Sequence, residues 1–324
     1  MKSLVLFSND LRLNDNDAIN SSIKGYDSTT FLFVFDKNLY LKTHGSANLW
    51  WLKKSLDHLK ENLKKKKITL HIIQGDYIKK TLEIIEKYKF DSVFINQNKH
   101  PEFIKKEEIL KLSLKRININ LFAYNKATLV DPALILNKTG DPYKVYSPFY
   151  KNCKLLYSQK EVLKFPSINI RNFIIEEKEI DTSKVFSINN NKWSEKFDKY
   201  WSPGEDNAHI SLEKFFKSSL SNYKEVRDIP SVSGTSKLSP HLRFGEITTN
   251  QIINHFKFHD NHALSKHEEH FIKELYWREF SYYILFHFPY VIDKPFNKKY
   301  ENFEWEVNYK DNLENWKKGN TGIR

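Results

Sequence analysis

Cysteine is all but missing from this chain. Cys153 stands alone in 324 residues, which excludes a disulfide framework and leaves no thiolate set for a zinc site. Glycine is scarce as well, with 9 residues. No Gly-x-Gly-x-x-Gly follows any strand-like run and no Walker loop is present, which argues against the ordinary dinucleotide and P-loop sites. No uninterrupted apolar run approaches the roughly 18 residues of a membrane span. The apolar start, Leu4 to Phe7, turns polar at Ser8-Asn9-Asp10, so it reads as a strand rather than a signal peptide. Arginine is rare: 7 of the 52 basic residues, which leaves 45 lysines. Arginine is the side chain that reads bases through paired hydrogen bonds.

What is present is a chain with 40% hydrophobic and 28% charged residues. That composition is soluble and globular, long enough for about two domains, and it points to a cytoplasmic protein. The net charge is 52 − 40 = +12. An anionic partner, most simply nucleic acid, is one reading. The lysine-, asparagine- and isoleucine-rich usage of AT-rich coding DNA is the other.

Apolar runs at 4–7, 31–35, 68–73, 92–95 and 119–124 read as strands. Between them, Leu49, Leu52, Leu56, Leu59 and Leu63 repeat at helical spacing. Ile78, Leu82 and Ile85 do the same, as does the stretch 104–114. This alternation predicts an α/β domain over 1–128, a doubly wound parallel five-stranded sheet with helices on both faces. Residues 129–200 read as an interdomain linker, aperiodic and surface-draped from Ser158 to Lys199. Residues 201–324 read as helical, including a long helix over 267–288.

Three features carry chemistry. The hydroxyl-rich run Ser233 to Ser239 precedes a helical segment, where backbone N–H groups and hydroxyls seat an anion and Lys237 adds charge; an ordinary capped turn looks the same. On the long helix, Glu274, Trp277, Arg278 and Ser281 share one face, a set that suits a flat polar ligand. A Glu274–Arg278 salt bridge beside a core tryptophan is the plain alternative. His255, His259, His262, His267 and His270 crowd one segment, but no glutamate base lies between His255 and His259, so solvated helix faces are preferred over a metal site and no metal is expected.

With these residues in view, the chain resembles the photolyase/cryptochrome family, most nearly the microbial cyclobutane pyrimidine dimer photolyases. The blocks that carry the likeness run in order. They are Phe7 with 9–16 (NDLRLNDN), 140–149 (GDPYKVYSPF), 201–205 (WSPGE), 223–228 (YKEVRD), 235–247 (TSKLSPHLRFGEI), 274–280 (ELYWREF), and Trp316 with 319–322 (GNTG). The resemblance implies that Tyr223, Thr235, Ser236, Lys237, Leu238 and Ser239 hold FAD, with Phe271 and Arg278 lining its cavity and 240–247 near its phosphates. It implies that Arg227 contacts ultraviolet-damaged DNA, with Arg278 and Ser281 on the same face. Glu274 would hydrogen-bond the damaged pyrimidines, Trp277 would stack on them, and Trp305 would be the outer tryptophan of the chain that re-reduces flavin.

The activity so implied is light-dependent DNA repair, in which reduced FAD donates an electron to the dimer and the cofactor carries the hard chemistry. Glu274 favours the dimer-splitting class over relatives with glutamine there. Two other readings stand beside it: a cryptochrome-like photoreceptor without repair, and a non-catalytic DNA-binding remnant. An antenna chromophore, folate or deazaflavin, is unassigned; His44 lies in a suggestive place, while 96–102 lacks the polar pair expected for a folate. The chain ends at Arg324 inside a recognisable block. It therefore reads as a truncated member whose helical FAD-binding domain is partial, lacking the inner tryptophans. A monomer with exposed apolar surface on its helical half is expected.

Overall fold

The computed structural model describes residues 1–167, 170–182, 192–256, 264–304, 306 and 309–322, with the backbone alone for 192 and 193. Five parallel strands form one sheet: β1 (Lys2–Phe7), β2 (Ser28–Phe35), β3 (Leu70–Gln74), β4 (Ser92–Asn96) and β5 (Asn120–Tyr124), in the order β3-β2-β1-β4-β5. β1, β2 and β4 are apolar almost without interruption because helices cover both faces; Leu4, Val5, Phe31, Phe33 and Val93 are fully buried. The edge strand β5 is half-exposed, with Phe122 open to solvent.

The covering helices are α1 (Asp17–Gly25), α2 (Lys37–Thr43), α3 (Ser46–Lys65), α4 (Tyr77–Tyr88) and α5 (Pro101–Arg116). All five leucines of the α3 stripe are buried. On α4 the buried face is turned one residue from the expected one: Tyr77, Thr81, Ile84 and Ile85 face the sheet, and Ile78 and Leu82 lie at its margin. The strand order reverses between β1 and β4, which opens a crevice at their carboxyl ends.

Residues 129–200 are not a passive linker. Their first part belongs to the helical half: Leu129, Val130, Ile135, Phe149 and Cys153 join its core, the last two from α6 (Tyr146–Leu156). A later part is fastened along the α/β domain. Thr29 N donates to the Arg171 carbonyl at 2.9 Å, Phe173 N donates to the Thr29 carbonyl at 3.1 Å, and Ile175 is buried. These contacts are long-range, so local periodicity carries no trace of them.

The helical half follows as α7 (Lys192–Phe197), α8 (Glu205–Ser218), α9 (Tyr223–Val226), α10 (Ser239–Arg243), α11 (Thr249–His255), α12 (Lys266–His287) and α13 (Lys310–Lys318). Helix α12 starts at a capping box: Ser265 Oγ accepts from Glu268 N, and the Glu268 carboxylate accepts from Ser265 N at 2.8 Å. Beyond α12 no described residue is buried, and Trp316 is 70% exposed. Among the described residues no helix is long and apolar enough to cross a membrane.

The two halves meet in a polar seam built from three of the matched blocks. Arg12 donates to the Gly245 carbonyl at 3.0 Å and the Asp15 carbonyl at 2.8 Å. Glu205 accepts from Leu13 N at 2.7 Å and Asn14 N at 2.9 Å. Glu246, fully buried, accepts from Trp51 Nε1 at 3.1 Å and Gly204 N at 2.7 Å, and pairs with Ser55 and His241. Gly245 has φ +63°, and a Cβ there would sit 2.7 Å from Asp10 Cα, so only glycine fits. The segment 240–247, expected beside a flavin phosphate, is thus mainly seam; Leu242 and Arg243 alone reach the cleft described next.

Candidate functional site

A cleft of ≈ 510 Å³ lies between α12 and the α9–α10 region, within the range of small-molecule sites. One wall is aromatic: Tyr223 and Phe271 meet edge to face at 5.4 Å, and Phe215 backs Phe271 at 4.6 Å. The lining also includes the hydroxyl residues Ser236 and Ser239 and the arginines Arg243 and Arg278. Arg278 Nη1 is held by Ala127 O at 2.9 Å, Thr249 Oγ1 at 3.1 Å and Glu279 at 3.1 Å. Arg243 has no carboxylate within ion-pair distance among the described residues; burial pulls its pKa down, and the acidic groups that oppose this are the phenols of Tyr282 and Tyr40. A mostly buried cation without a counter-charge calls for an anion.

At the mouth, Arg227 lies 5.5 Å over the Tyr223 ring and forms an ion pair with Glu274, with Asp228 at 3.3 Å. The Glu274 contact raises the arginine's pKa despite partial burial. Ser281 and Leu285 continue the α12 wall.

The sequence-stated set therefore divides. Tyr223, Ser236, Leu238, Ser239, Phe271, Glu274, Arg278 and Ser281 line one cleft. Thr235 and Lys237 do not line it. Thr235 is exposed, and Lys237, held at φ +54°, places its ammonium 6.0 Å over the Trp201 ring. Trp277 turns to the flank of α12, where it stacks on Tyr146. Leu275 and Tyr282 line the same cleft as Glu274. Trp305 lies outside the described residues, as do His259 and His262. His255 pairs with Glu213 at 3.4 Å and His267 with Glu225 at 3.0 Å. Among the described residues no cluster of three or more potential metal ligands occurs.

Sequence reasoning covered Arg243 only within the segment 240–247 and did not single it out, although a signal for it existed. Four of the 7 arginines, Arg12, Arg227, Arg243 and Arg278, sit at the seam or the cleft. In a chain that uses lysine almost everywhere, the arginines that remain mark places needing a planar fork of donors.

A second, smaller chamber sits at the carboxyl ends of β1 and β4, and Arg243 and Arg278 wall it off from the cleft. It holds ≈ 30 Å³ and is lined in part by Asn9, Asp10 and Asn98. The side-chain amide of Asn9, Asn98 Nδ2, the Tyr40 hydroxyl and His44 Nε2 are buried without hydrogen-bond partners among the described residues. Burial, aided by the Arg243 charge, pulls the His44 pKa down to about 3. Such a volume accommodates a water molecule. The polar lining suits a heterocycle but the space does not, so the chamber as it stands fits neither a folate nor a deazaflavin.

Comparison with known proteins bears on the same regions. The family model for DNA photolyase matches residues 3–167, half of the chain, and that for the FAD binding domain of DNA photolyase matches residues 271–324. A deoxyribodipyrimidine photo-lyase of Buchnera aphidicola is 31% identical over 334 residues, covering 99% of this chain and 68% of that protein. Cryptochrome-1 of Arabidopsis thaliana is 26% identical over 331 residues, covering 99% and 48%. The crystal structure of a bacterial class III photolyase from Agrobacterium tumefaciens superposes with a TM-score of 0.90 at 29% identity, covering 98% of this chain and 65% of that one. The chain spans about two thirds of the length of the photolyases it matches.

Proposed function

The chain belongs to the photolyase/cryptochrome family, and from that membership we propose that its cleft binds FAD and that the cleft mouth receives a flipped cyclobutane pyrimidine dimer from ultraviolet-damaged DNA for light-dependent splitting. The observation that carries the proposal is Arg243, a mostly buried guanidinium with no carboxylate partner among the described residues, facing the same cleft as Ser236, Ser239 and Arg278. That donor set fits the diphosphate of a flavin dinucleotide.

FAD, when bound and reduced, would supply the light-driven electron that opens the cyclobutane ring. The chain's own residues would do the rest. Ser236, Ser239, Arg243 and Arg278 would hold the diphosphate, with Thr235, Lys237 and Leu238 shaping the loop around it. Tyr223 and Phe271 would exclude water from the cleft. Glu274 would accept hydrogen bonds from pyrimidine N–H groups, and Arg227 would exchange Glu274 for a DNA phosphate. Trp277 would stack on the lesion, and Ser281 would lie at the rim. A damaged base pair is already weakly stacked, so drawing it out of the duplex costs less than for a sound one.

A second reading, a photoreceptor without repair, draws on the Arg227–Glu274 ion pair, which withholds both groups from DNA. One experiment separates the readings. The chain is purified, titrated with FAD, reduced, and illuminated with a dimer-containing duplex. Flavin binding with loss of the dimer only under blue or near-ultraviolet light supports repair. Flavin binding with no loss favours the photoreceptor. Binding of damaged duplex without flavin marks a non-catalytic remnant, and no binding of either sinks all three.

A further inference from the structure

We propose that Tyr146 is a positioning residue for Trp277: it fills one face of the indole and leaves the other as a stacking platform beside the cleft mouth. The inference deepens the reading above and rests on Trp277 meeting a flipped base.

The two rings lie 3.6 Å apart between centroids and within 6° of parallel. Aromatic pairs left to themselves prefer offset or edge-to-face arrangements over a face-to-face sandwich, so the surroundings must hold this one. They do so from several sides. The Tyr146 hydroxyl donates to the Lys273 carbonyl at 2.9 Å, one turn before Trp277 on α12. Tyr150 stacks near the same ring at 5.7 Å, and Phe280 meets both Tyr146 and Trp277 edge-on, at 5.9 and 6.0 Å. The segment that carries Tyr146 is itself fastened to α12, since Tyr143 N donates to the Tyr283 hydroxyl at 2.7 Å and Phe149 packs on Tyr283 at 4.7 Å. Burial raises the Tyr146 pKa and keeps the phenol a neutral donor.

Trp277 nonetheless remains 45% exposed. A half-exposed indole on a helix would ordinarily sample several rotamers and lose that freedom on binding. Here the freedom is already gone in the free protein, and a flat ligand has one face to meet. This gives the matched segment 140–149, which contributes no residue to the cleft lining, a role in the site.

The test uses the full chain with Tyr146→Leu, which removes the stack, and Tyr146→Phe, which keeps the ring and drops only the hydroxyl. Acrylamide quenching of Trp277 emission is read as the difference between each protein and its Trp277→Phe counterpart. Binding is measured to a duplex with one thymine cyclobutane dimer and to the same duplex undamaged. Tyr146→Leu is expected to raise the Trp277 quenching constant about twofold, since two ring faces are open instead of one. It should lower the preference for the damaged duplex about tenfold, the scale of one base–aromatic stack, with undamaged binding unchanged. Tyr146→Phe should stay close to the parent in both readouts. Unchanged quenching in Tyr146→Leu, or an equal loss on both duplexes, overturns the proposal. If the parent chain itself shows no preference for the damaged duplex, the functional reading fails separately, and the quenching result alone decides whether Tyr146 fixes the indole.

Discussion

Glu107 occupies a core position of α5 between Phe103 and Leu110, where an apolar side chain would be the simpler choice. Burial pushes its carboxyl up to about 8; the Asn98 N–H at 2.9 Å and the Lys99 charge offset only part of this. His44 is the mirror case, held neutral by burial down to about 3. The signs follow from linkage. Between 4.5 and about 8 the folded chain keeps a proton on Glu107 that the unfolded chain has released, so stability falls as pH rises through that window. The stability that neutral His44 contributes is complete above 6.5 and is lost as pH falls toward 3. Between 4.5 and 6.5 the two effects oppose each other, and from 6.5 to 8 Glu107 acts without that compensation. Urea unfolding over pH 6.5–8 should show stability falling with pH, with a slope of at most about 1.4 kcal/mol per unit from this group. Glu107→Gln should flatten that slope, with a remainder from buried Glu279, whose pKa is also raised. An identical slope in the variant would refute the assignment.

At the scale of elements, the seam depends on groups that serve two masters. Thr248 Oγ1 accepts from Gln251 N at 2.9 Å to cap α11, while its own proton goes to Asp15 at 2.7 Å in the α/β domain. Burial works against Asp15 ionising, but Arg12, Lys126 and this hydroxyl hold its pKa below the ordinary value. Thr248→Val keeps the shape and removes both bonds, so thermal melting should register a loss of about 1–3 kcal/mol. Thr248→Ser should retain most of the parent stability, and equal melting of the Val and parent proteins would contradict this account. The same seam explains what could be read from the amino-acid sequence and what could not. The strands and α3 were legible because burial on both sheet faces, or along one stripe, imposes a local pattern. Helices α9 and α10, at 4 and 5 residues, are too short to show a period. Glu246 looks like any surface glutamate until Trp51 and Gly204 converge on it from distant segments and His241 from five residues before it. Trp277 was placed on the correct helix, but at i+3 from Glu274 it falls to the flank of the face, and only Tyr146 decides which way it turns.

For the molecule as a whole, the +12 charge remains the least local property and the one composition left open. Much of the lysine excess lies away from the cleft, spread over α3 to α5, and part of it is matched: Lys54 with Asp198, Lys60 with Glu179, Lys80 and Lys87 with Glu177, Lys106 with Asp76. Such lysines add to the pI without forming a surface for a duplex. Beside the cleft mouth stand fewer cations, notably Arg227 and Lys224, which follows the cleft residue Tyr223 in the chain, whereas Lys237 turns to the Trp201 ring. Counterion release counts the phosphates actually neutralised, not the net charge. If the cleft face alone meets DNA, the plot of log binding constant against log salt should have a slope near −2, about 0.9 for each of two phosphates. If the whole excess took part, 12 charges would give a slope of about −11. Duplex binding measured from 50 to 200 mM salt, roughly the range over which such slopes resolve, decides between a directed contact and diffuse attraction. Arg227→Ala should then lower the slope by about one, while Lys60→Ala, whose ammonium is paired with Glu179, should leave it unchanged.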